Sequence, residues 1–190
     1  MIPISEFNAA LSCALAAAGT DPKRPELMAV LLEFLPEDLL RFVATDGHRL
    51  TYVECQVAHG QPDGSSFVLY SEYARKLVKS FPAKSKGRLT LAPYGEEILF
   101  TDGETVETFG RTAQEFPDYR RVLSHADEPP RSACMPIDQV LEALDAFKPF
   151  AARGLTVELH DRGPSYFTPR IKQDMESIRA ALTVIMSFKP

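Results

Sequence analysis

The chain has 190 residues, of which 45% are hydrophobic and 25% are charged, an ordinary composition for a globular protein that can bury one complete core and part of another. The N-terminus has no signal-peptide pattern, no apolar run approaches the ~20 residues of a membrane span, and Cys13, Cys55 and Cys134 have no metal-ligand spacing, so we expect a cytoplasmic protein without a metal or other cofactor. The formal net charge of −5 excludes a general attraction to nucleic acid and leaves only a local basic patch for any DNA contact.

The first predicted unit occupies about residues 2–57. A short strand-like run precedes a helix that begins at Ser5, where serine is a good cap and Glu6 suits the positive end of the helix dipole. Apolar residues then recur three or four positions apart, as in a helix with one buried face. The helix is followed by runs rich in β-branched and aromatic residues, which predict strands at 27–34, 39–45 and 49–57.

Two further units follow with the same order of elements. Their helices are predicted to begin at residues 71 and 137, so the three helix starts are equally spaced. The strand-like runs lie at 67–70, 89–94, 97–101 and 106–111 in unit two, and at 133–135, 155–160, 165–170 and 181–188 in unit three. The sequence therefore predicts a βαβββ unit repeated three times.

A single unit of this kind leaves one face of its helix and sheet exposed, so it should pack against another unit. Units one and two can pair, which predicts a complete domain at residues 1–124. The polar, proline-containing stretch 125–132 is a predicted linker, and residues 133–190 are a half-domain without a second unit in the chain. The predicted fold class is α+β, with helices on one face of antiparallel sheets.

The segment FVATDGHRL at residues 42–50 contains more than its predicted hairpin requires. Asp-Gly is favoured in tight turns because the turn needs positive φ, which glycine adopts freely and aspartate tolerates. Unit two has the same Thr-Asp-Gly at residues 101–103, but it continues with Glu-Thr-Val where residues 48–50 are His-Arg-Leu. The turn alone accounts for Thr-Asp-Gly, so any special role belongs to residues 48–50.

The stretch LLEFLPEDLLRFVATDGHRL at residues 31–50, together with EFPDYRRVL at residues 115–123, resembles the middle domain of the bacterial sliding clamp, the β subunit of DNA polymerase III. Residues 133–190 are similar to the closing half of the clamp's last domain. The resemblance implies the DNA-clamp fold and a non-catalytic role in DNA replication, as a processivity factor or scaffold. Clamps of this family encircle duplex DNA and dock short peptides of polymerases and repair proteins in an apolar surface pocket.

The resemblance also implies the residues of that docking pocket. Apolar side chains would bury the anchors of a partner peptide, and a few polar groups would fix its register. The tail at residues 186–190 lacks the family's usual ending, and Gln139 stands where the family has a tyrosine. The implied pocket residues are Leu27, Thr45, Gly47, His48, Arg49, Leu50, Pro117, Arg121, Val122, Ser165, Val184, Ile185 and Met186.

A basic stretch on the second helix and in the following loop is the candidate DNA-facing surface. It would bind duplex DNA weakly, through phosphates and without reading sequence. A solvated surface helix gives the same pattern, and helices one and three carry no such cluster, so the alternative function is a clamp mimic that binds clamp partners without encircling DNA. The basic residues are Arg75, Lys76, Lys79, Lys84, Lys86 and Arg88.

Unit three is the predicted joint of a homo-oligomer. We expect its helix to present Leu141, Leu144 and Phe147 to solvent, and burying apolar surface stabilises by roughly 25 cal/mol per Å². A second copy related by a two-fold axis is the simplest cover, because closed isologous pairs are the commonest oligomers. Two such dimers, as a tetramer, would contain as many units as a whole clamp ring.

A remote alternative is an enzyme that uses Asp46 and His48 as an acid–base pair. No nucleophile, phosphate-loop or metalloprotease motif accompanies the pair, and the repeat already assigns Asp46 to the turn. The partners expected from the resemblance, the basic stretch and the third helix are DNA polymerase or other clamp-binding proteins, duplex DNA and further copies of this chain. No association with a membrane is expected.

Overall fold

The computed structural model of the chain describes residues 1–110, 112, 115–123, 137–149, 151–158, 164–172, 175 and 177–186. The predicted linker and the strand-like run at 133–135 lie outside the described residues. The strands are β1 (Ile2–Pro3), β2 (Ala29–Leu35), β3 (Leu39–Thr45), β4 (Arg49–Gln56), β5 (Ser66–Tyr70), β6 (Arg88–Tyr94), β7 (Glu97–Thr101), β8 (Val106–Gly110), β9 (Ala151–Glu158), β10 (Pro164–Ile171) and β11 (Ile178–Met186). The helices are α1 (Ile4–Leu15), α2 (Ser71–Ser80), the single turn α3 (Arg120–Leu123) and α4 (Ile137–Phe147), with a 3₁₀ turn at Pro25–Leu27.

Units one and two exchange their first strands. Strand β1 of unit one joins the sheet of unit two in the order β1-β6-β7-β8, while β5 of unit two pairs with β2 of unit one. Each unit therefore completes the other's sheet, and both close around one core under α1 and α2. The ring of Phe7 on α1 lies 5.8 Å from those of Phe42 and Phe100, which come from the two different sheets.

Unit three continues the sheet of unit one. Strand β11 pairs antiparallel with β4, which produces a seven-stranded sheet in the order β5-β2-β3-β4-β11-β10-β9. The buried hydroxyls of Thr51 and Thr183 lie 2.6 Å apart across this junction. The buried carboxylate of Glu6 on α1 accepts the backbone N–H groups of Ser177 and Ile178 at 2.5 and 3.1 Å, and so fixes the start of β11. The sequence had predicted no such pairing within the chain.

Side chains of the long sheet alternate between two faces. The inner face meets the helices in the main core, where Phe42, Val53 and Ile185 are buried. The outer face carries a smaller apolar cluster that includes Leu50 and Val184. The segment after unit two, at residues 115–123, covers this cluster. These two faces determine which predicted pocket residues can meet.

Within the described residues, one side of helix α4 is packed against the rest of the chain. It contacts α1 and β11, and Ala143 and Phe147 are buried on that side. The expectation that Phe147 lies on the exposed face is therefore wrong, because its ring belongs to the main core. The apolar residues that α4 does expose are Ile137, Leu141 and Leu144.

Candidate functional site

The turn between β3 and β4 is built from its own side chains. Gly47 has a φ of 89°, and its N–H donates to the Thr45 hydroxyl at 3.1 Å. The Thr45 hydroxyl donates to the Arg49 carbonyl at 2.7 Å. One Asp46 carboxylate oxygen accepts the N–H groups of His48 and Arg49, both at 2.9 Å. The predicted positive φ is found at Gly47, whereas Asp46 contributes to the turn as a hydrogen-bond acceptor.

The turn of unit two repeats this arrangement without the His-Arg-Leu continuation. The Gly103 N–H donates to the Thr101 hydroxyl at 3.0 Å, and Asp102 accepts the N–H groups of Glu104 and Thr105 at 3.0 and 2.7 Å. Both hydrogen bonds lower the pKa of the Asp102 carboxyl, and the bond from the Thr105 N–H has the larger effect. Since both turns use Asp in the same way, turn formation explains Asp46 without a catalytic pair.

A cavity of about 210 Å³ lies beside the first turn. The hairpin, the segment after unit two and β11 form its walls. The predicted residues that line it are Leu27, Thr45, Gly47, His48, Arg49, Leu50, Pro117, Val122 and Val184, and the sequence missed Arg24, Asp118 and Tyr119. Leu50 and Val184 are opposite each other across the β4–β11 pair, so the cavity floor joins units one and three.

Four predicted residues do not line this cavity in the described structure. Ile185 follows Val184 on β11 and therefore points to the opposite face, where it is fully buried in the main core; its assignment to the pocket is wrong. Arg121 lies on α3, is largely exposed, and its Nε is 3.0 Å from an Asp118 carboxylate oxygen. Ser165 and Met186 are in β10 and β11, and their side chains lie outside the described residues.

Tyr119 fastens one wall of the cavity to the sheet. Its hydroxyl donates to the buried carboxylate of Glu33 on β2 at 2.5 Å and accepts from the Arg41 guanidinium at 2.8 Å. The pKa of Tyr119 is raised to about 12, mainly because the hydroxyl is buried and secondly because it is hydrogen-bonded to Glu33. The hydrogen bond from Arg41 opposes this increase. The sequence contained a signal for this contact, because Glu33 is a lone acid within an apolar strand.

Two further groups support the same wall. The Arg120 guanidinium also binds the Glu33 carboxylate, and its Cζ lies 5.2 Å from the centre of the Tyr119 ring. On the other side of the segment, the Tyr166 hydroxyl donates to the Val122 carbonyl at 3.1 Å. The segment is therefore attached to the sheet of unit one and to unit three, which holds Pro117 and Val122 over the cavity.

Arg41 is the cation at the centre of the outer face. It binds Glu54 of β4 through Nε at 2.8 Å and lies with its Cζ 4.8 Å from the centre of the Tyr52 ring. Burial works to lower the pKa of Arg41, but hydrogen bonds to Tyr119 and Glu54 raise it above the ordinary value. A permanent cation is therefore available to compensate Glu33 and Glu54.

Arg49 connects the cavity to α4. Its side chain is mostly buried, its Nε lies 3.1 Å from the second Asp46 carboxylate oxygen, and its guanidinium also pairs with Glu142. The neighbouring His48 is exposed. At the rim of the cavity, Glu142 of unit three thus helps to orient the Arg49 side chain of unit one.

A second cavity, of about 750 Å³, lies on the other side of Tyr119. Its walls hold four carboxylates, from Glu33, Glu96, Glu115 and Asp118, and the guanidinium of Arg120. Such a lining is poorly suited to the apolar anchors of a peptide. The smaller cavity, with Leu27, Leu50, Val122 and Val184 in its walls, is the better candidate for apolar docking.

The predicted basic residues are all exposed, and they lie on α2, in the loop that follows it and on β6. Arg75 and Lys79 line a cleft between α1 and α2. The Lys76 ammonium instead pairs with Glu107 of β8 at 2.6 Å, and this bond, with one from Ser80, lowers the pKa of the Glu107 carboxyl. Lys84 and Lys86 lie in the following loop, while Arg88 on β6 donates to the Met1 carbonyl at 3.2 Å.

Within the described ranges, no helix is long and apolar enough to cross a membrane. The same residues contain no group of three or more His, Cys, Asp or Glu side chains that could hold a metal ion. Cys13 and Cys55 are buried in the main core, and burial raises the pKa of both thiols.

Known sliding clamps are similar to this chain in sequence and in fold. No family model matches the chain. It is 34% identical over 135 residues to the beta sliding clamp of Synechocystis sp. (strain ATCC 27184 / PCC 6803 / Kazusa), a match that covers 65% of this chain and 34% of that protein. The solved DNA polymerase sliding clamp from Pseudomonas aeruginosa with ligand has a TM-score of 0.80 and 17% identity, over 100% of this chain and 65% of that chain. The clamp from the same organism bound to griselimycin has a TM-score of 0.74 and 17% identity, over 98% of this chain and 64% of that chain.

These similarities confirm the predicted fold. The chain has the sliding-clamp fold, with antiparallel sheets and helices on their inner faces, and the sequence similarity covers 65% of it. It spans 34% of the length of the curated clamp that it matches.

Proposed function

We propose that the chain is a sliding-clamp-like protein that serves DNA replication without catalysing a reaction, by docking short peptides of polymerases or other clamp-binding proteins. The observation that carries the proposal is the 210 Å³ cavity at the first turn, which is lined by nine of the thirteen docking residues that the resemblance implies. The similarity to solved clamps, one of them bound to griselimycin, supports it. The cytoplasmic location expected from the sequence is part of the same proposal.

The chemistry of the cavity suits a partly apolar peptide. Leu50 and Val184 form an apolar floor, and Val122 lies in the wall above them. One or two anchor side chains of a partner would lose their contact with water there, while polar groups around the turn would fix the register of the peptide backbone. Anchor contacts of this kind typically contribute ~1–2 kcal/mol each.

The test compares two equivalent hairpin positions. Leu50 and Val106 both follow a Thr-Asp-Gly turn, but Leu50 lines the cavity and Val106 is on an exposed strand away from it. Titration of a fluorescent peptide that binds ordinary sliding clamps should show Leu50→Ala weakening the affinity about tenfold, with Val106→Ala matching the wild type. Absence of wild-type binding at millimolar peptide would refute the docking function.

A clamp mimic that does not surround DNA is the second candidate. One observation favours it, because Lys76 pairs with Glu107 and so contributes less charge to the helix face than the sequence indicated. The two candidates differ in DNA binding, since a protein that surrounds DNA should bind duplex weakly through Arg75 and Lys79, with a steep dependence on salt. Fluorescence anisotropy with a random-sequence duplex at two salt concentrations distinguishes them.

A further inference from the structure

Helix α4 carries an apolar stripe on the side that faces away from the chain. Leu141 and Leu144 are 54% and 37% exposed, and Ile137 lies on the same side, one turn before Leu141 and two turns before Leu144. The adjacent side, with Ala143 and Phe147, is already buried in the main core. A contiguous exposed stripe of this kind usually marks a contact surface.

The repeat in the chain indicates what covers this stripe. Leu144 lies seven residues after the helix start of its unit, and the equivalent residues of units one and two are Ser12 and Val78. Ser12 and Val78 line the same cleft between α1 and α2. Nearby, the Asn8 side-chain amide donates to the Val78 carbonyl at 2.9 Å. Leu144 is therefore equivalent to the two residues, Ser12 and Val78, that lie where the helices of units one and two meet.

The sheet of unit three has an open edge at the corresponding place. Strand β2 of unit one pairs at its edge with β5 of unit two, and β6 of unit two pairs at its edge with β1 of unit one. In both cases the added strand comes from the other unit of the pair. Strand β9 stands at the same point of unit three, and no described strand pairs with its outer edge. Among the described residues, both contacts that join units one and two therefore have no partner in unit three.

We propose that a second copy of this chain occupies both places. Across a two-fold axis, α4 packs against α4 with Leu144 meeting Leu144 of the second copy, and the free edge of β9 takes a strand from that copy. A two-fold pair would cover the exposed side of α4 and the free edge of β9 in both copies at once. The Asp145 carboxylate beside Leu144 is paired with the Lys148 ammonium at 2.6 Å, which reduces charge repulsion at the joint.

This joint is separate from the docking function, although the two share a helix. Glu142 of α4 binds Arg49 at the cavity rim, whereas Leu144 is on the outward side. Peptide titration therefore reports on the cavity, and molecular mass reports on the joint. If one of the two proposals fails its experiment, the other can still be tested by its own experiment.

The first experiment measures mass by sedimentation equilibrium across micromolar concentrations. We expect a wild-type dimer whose dissociation constant rises about tenfold or more with Leu144→Glu. Val106→Glu is the matched control, because Val106 is an apolar residue that is 59% exposed on β8, away from α4, and it should leave the dimer unchanged. A monomer at tens of micromolar, or a dimer indifferent to Leu144→Glu, would overturn the proposal.

The second experiment tests the symmetry by cross-linking with a short bismaleimide. Leu144→Cys in a Cys134→Ser background should give a covalent dimer, since facing positions on packed helices lie within ~10 Å of each other. Cys13 and Cys55 are buried and should not react. Val106→Cys in the same background is the control and should stay monomeric on a denaturing gel. Equal cross-linking of the two variants would show that α4 does not meet its copy at Leu144.

Discussion

Removing one hydroxyl group from Tyr119 tests how the wall of the docking cavity is held. Tyr119→Phe keeps the ring, which packs on Phe116 with a centroid distance of 6.4 Å, but deletes the bonds to Glu33 and Arg41. A hydrogen bond to a charged group typically contributes ~1.5–3 kcal/mol, and the Glu33 carboxylate is buried. We therefore expect the free energy of unfolding to fall by about that amount.

The assay is urea denaturation followed by circular dichroism. Tyr94→Phe is the control, because Tyr94 is 82% exposed and its hydroxyl can be replaced by water contacts at no cost to the fold. Peptide affinity should fall only slightly in Tyr119→Phe, since the ring still lines the cavity. A Tyr119→Phe protein as stable as the Tyr94→Phe protein would refute the proposed role of the hydroxyl.

The same residue makes a prediction about alkaline pH. The pKa of Tyr119 is raised to about 12 in the folded protein, against about 10 for an unfolded tyrosine. The unfolded chain therefore releases this proton first, so the stability contributed by Tyr119 is complete below pH ~10 and is lost as the pH rises to ~12. The wild type should lose stability over that range more steeply than Tyr119→Phe, and parallel curves would contradict the assignment.

Three further outcomes are expected. Lys79→Glu should weaken duplex binding and reduce its salt dependence more than Lys76→Glu does, in anisotropy titrations, because Lys76 is paired with Glu107. Gly47→Ala and Gly103→Ala should lower the melting temperature by similar amounts, since both glycines have positive φ and a Cβ at Gly47 would meet only the end of the flexible Arg24 side chain, which can move away. Glu6→Ala should destabilise by ~1–3 kcal/mol and increase amide exchange at the start of β11, and Glu6→Gln, which keeps an acceptor, should do so less.

The elements and the turns were predictable because their causes are local. Apolar spacing defined the helices, and the repeated Thr-Asp-Gly fixed both hairpins through bonds that reach no further than four residues. The same repeat separated Asp46, which the turn requires, from the residues that follow it. Fold class followed from these elements and from the family resemblance.

The side chains that face the cavity were only partly predictable. Val184 and Ile185 were both assigned to it, yet neighbours on a strand point to opposite faces, and pairing of β11 with β4 decides which one faces out. Tyr119 was missed because its partner, Glu33, is 86 positions away along the chain. Phe147 was misplaced because α4 packs against α1, a contact that helical spacing alone does not specify.

The position of the cavity follows from the junction between the two parts of the chain. Leu50 comes from the complete domain and Val184 from the half-domain, and they are paired in register across β4 and β11. Glu6 fixes the start of β11, and Arg49 binds Glu142 on the helix of the same half-domain. Any change that loosens this junction should widen the cavity and weaken docking together, whereas a change at Leu144 should alter molecular mass alone.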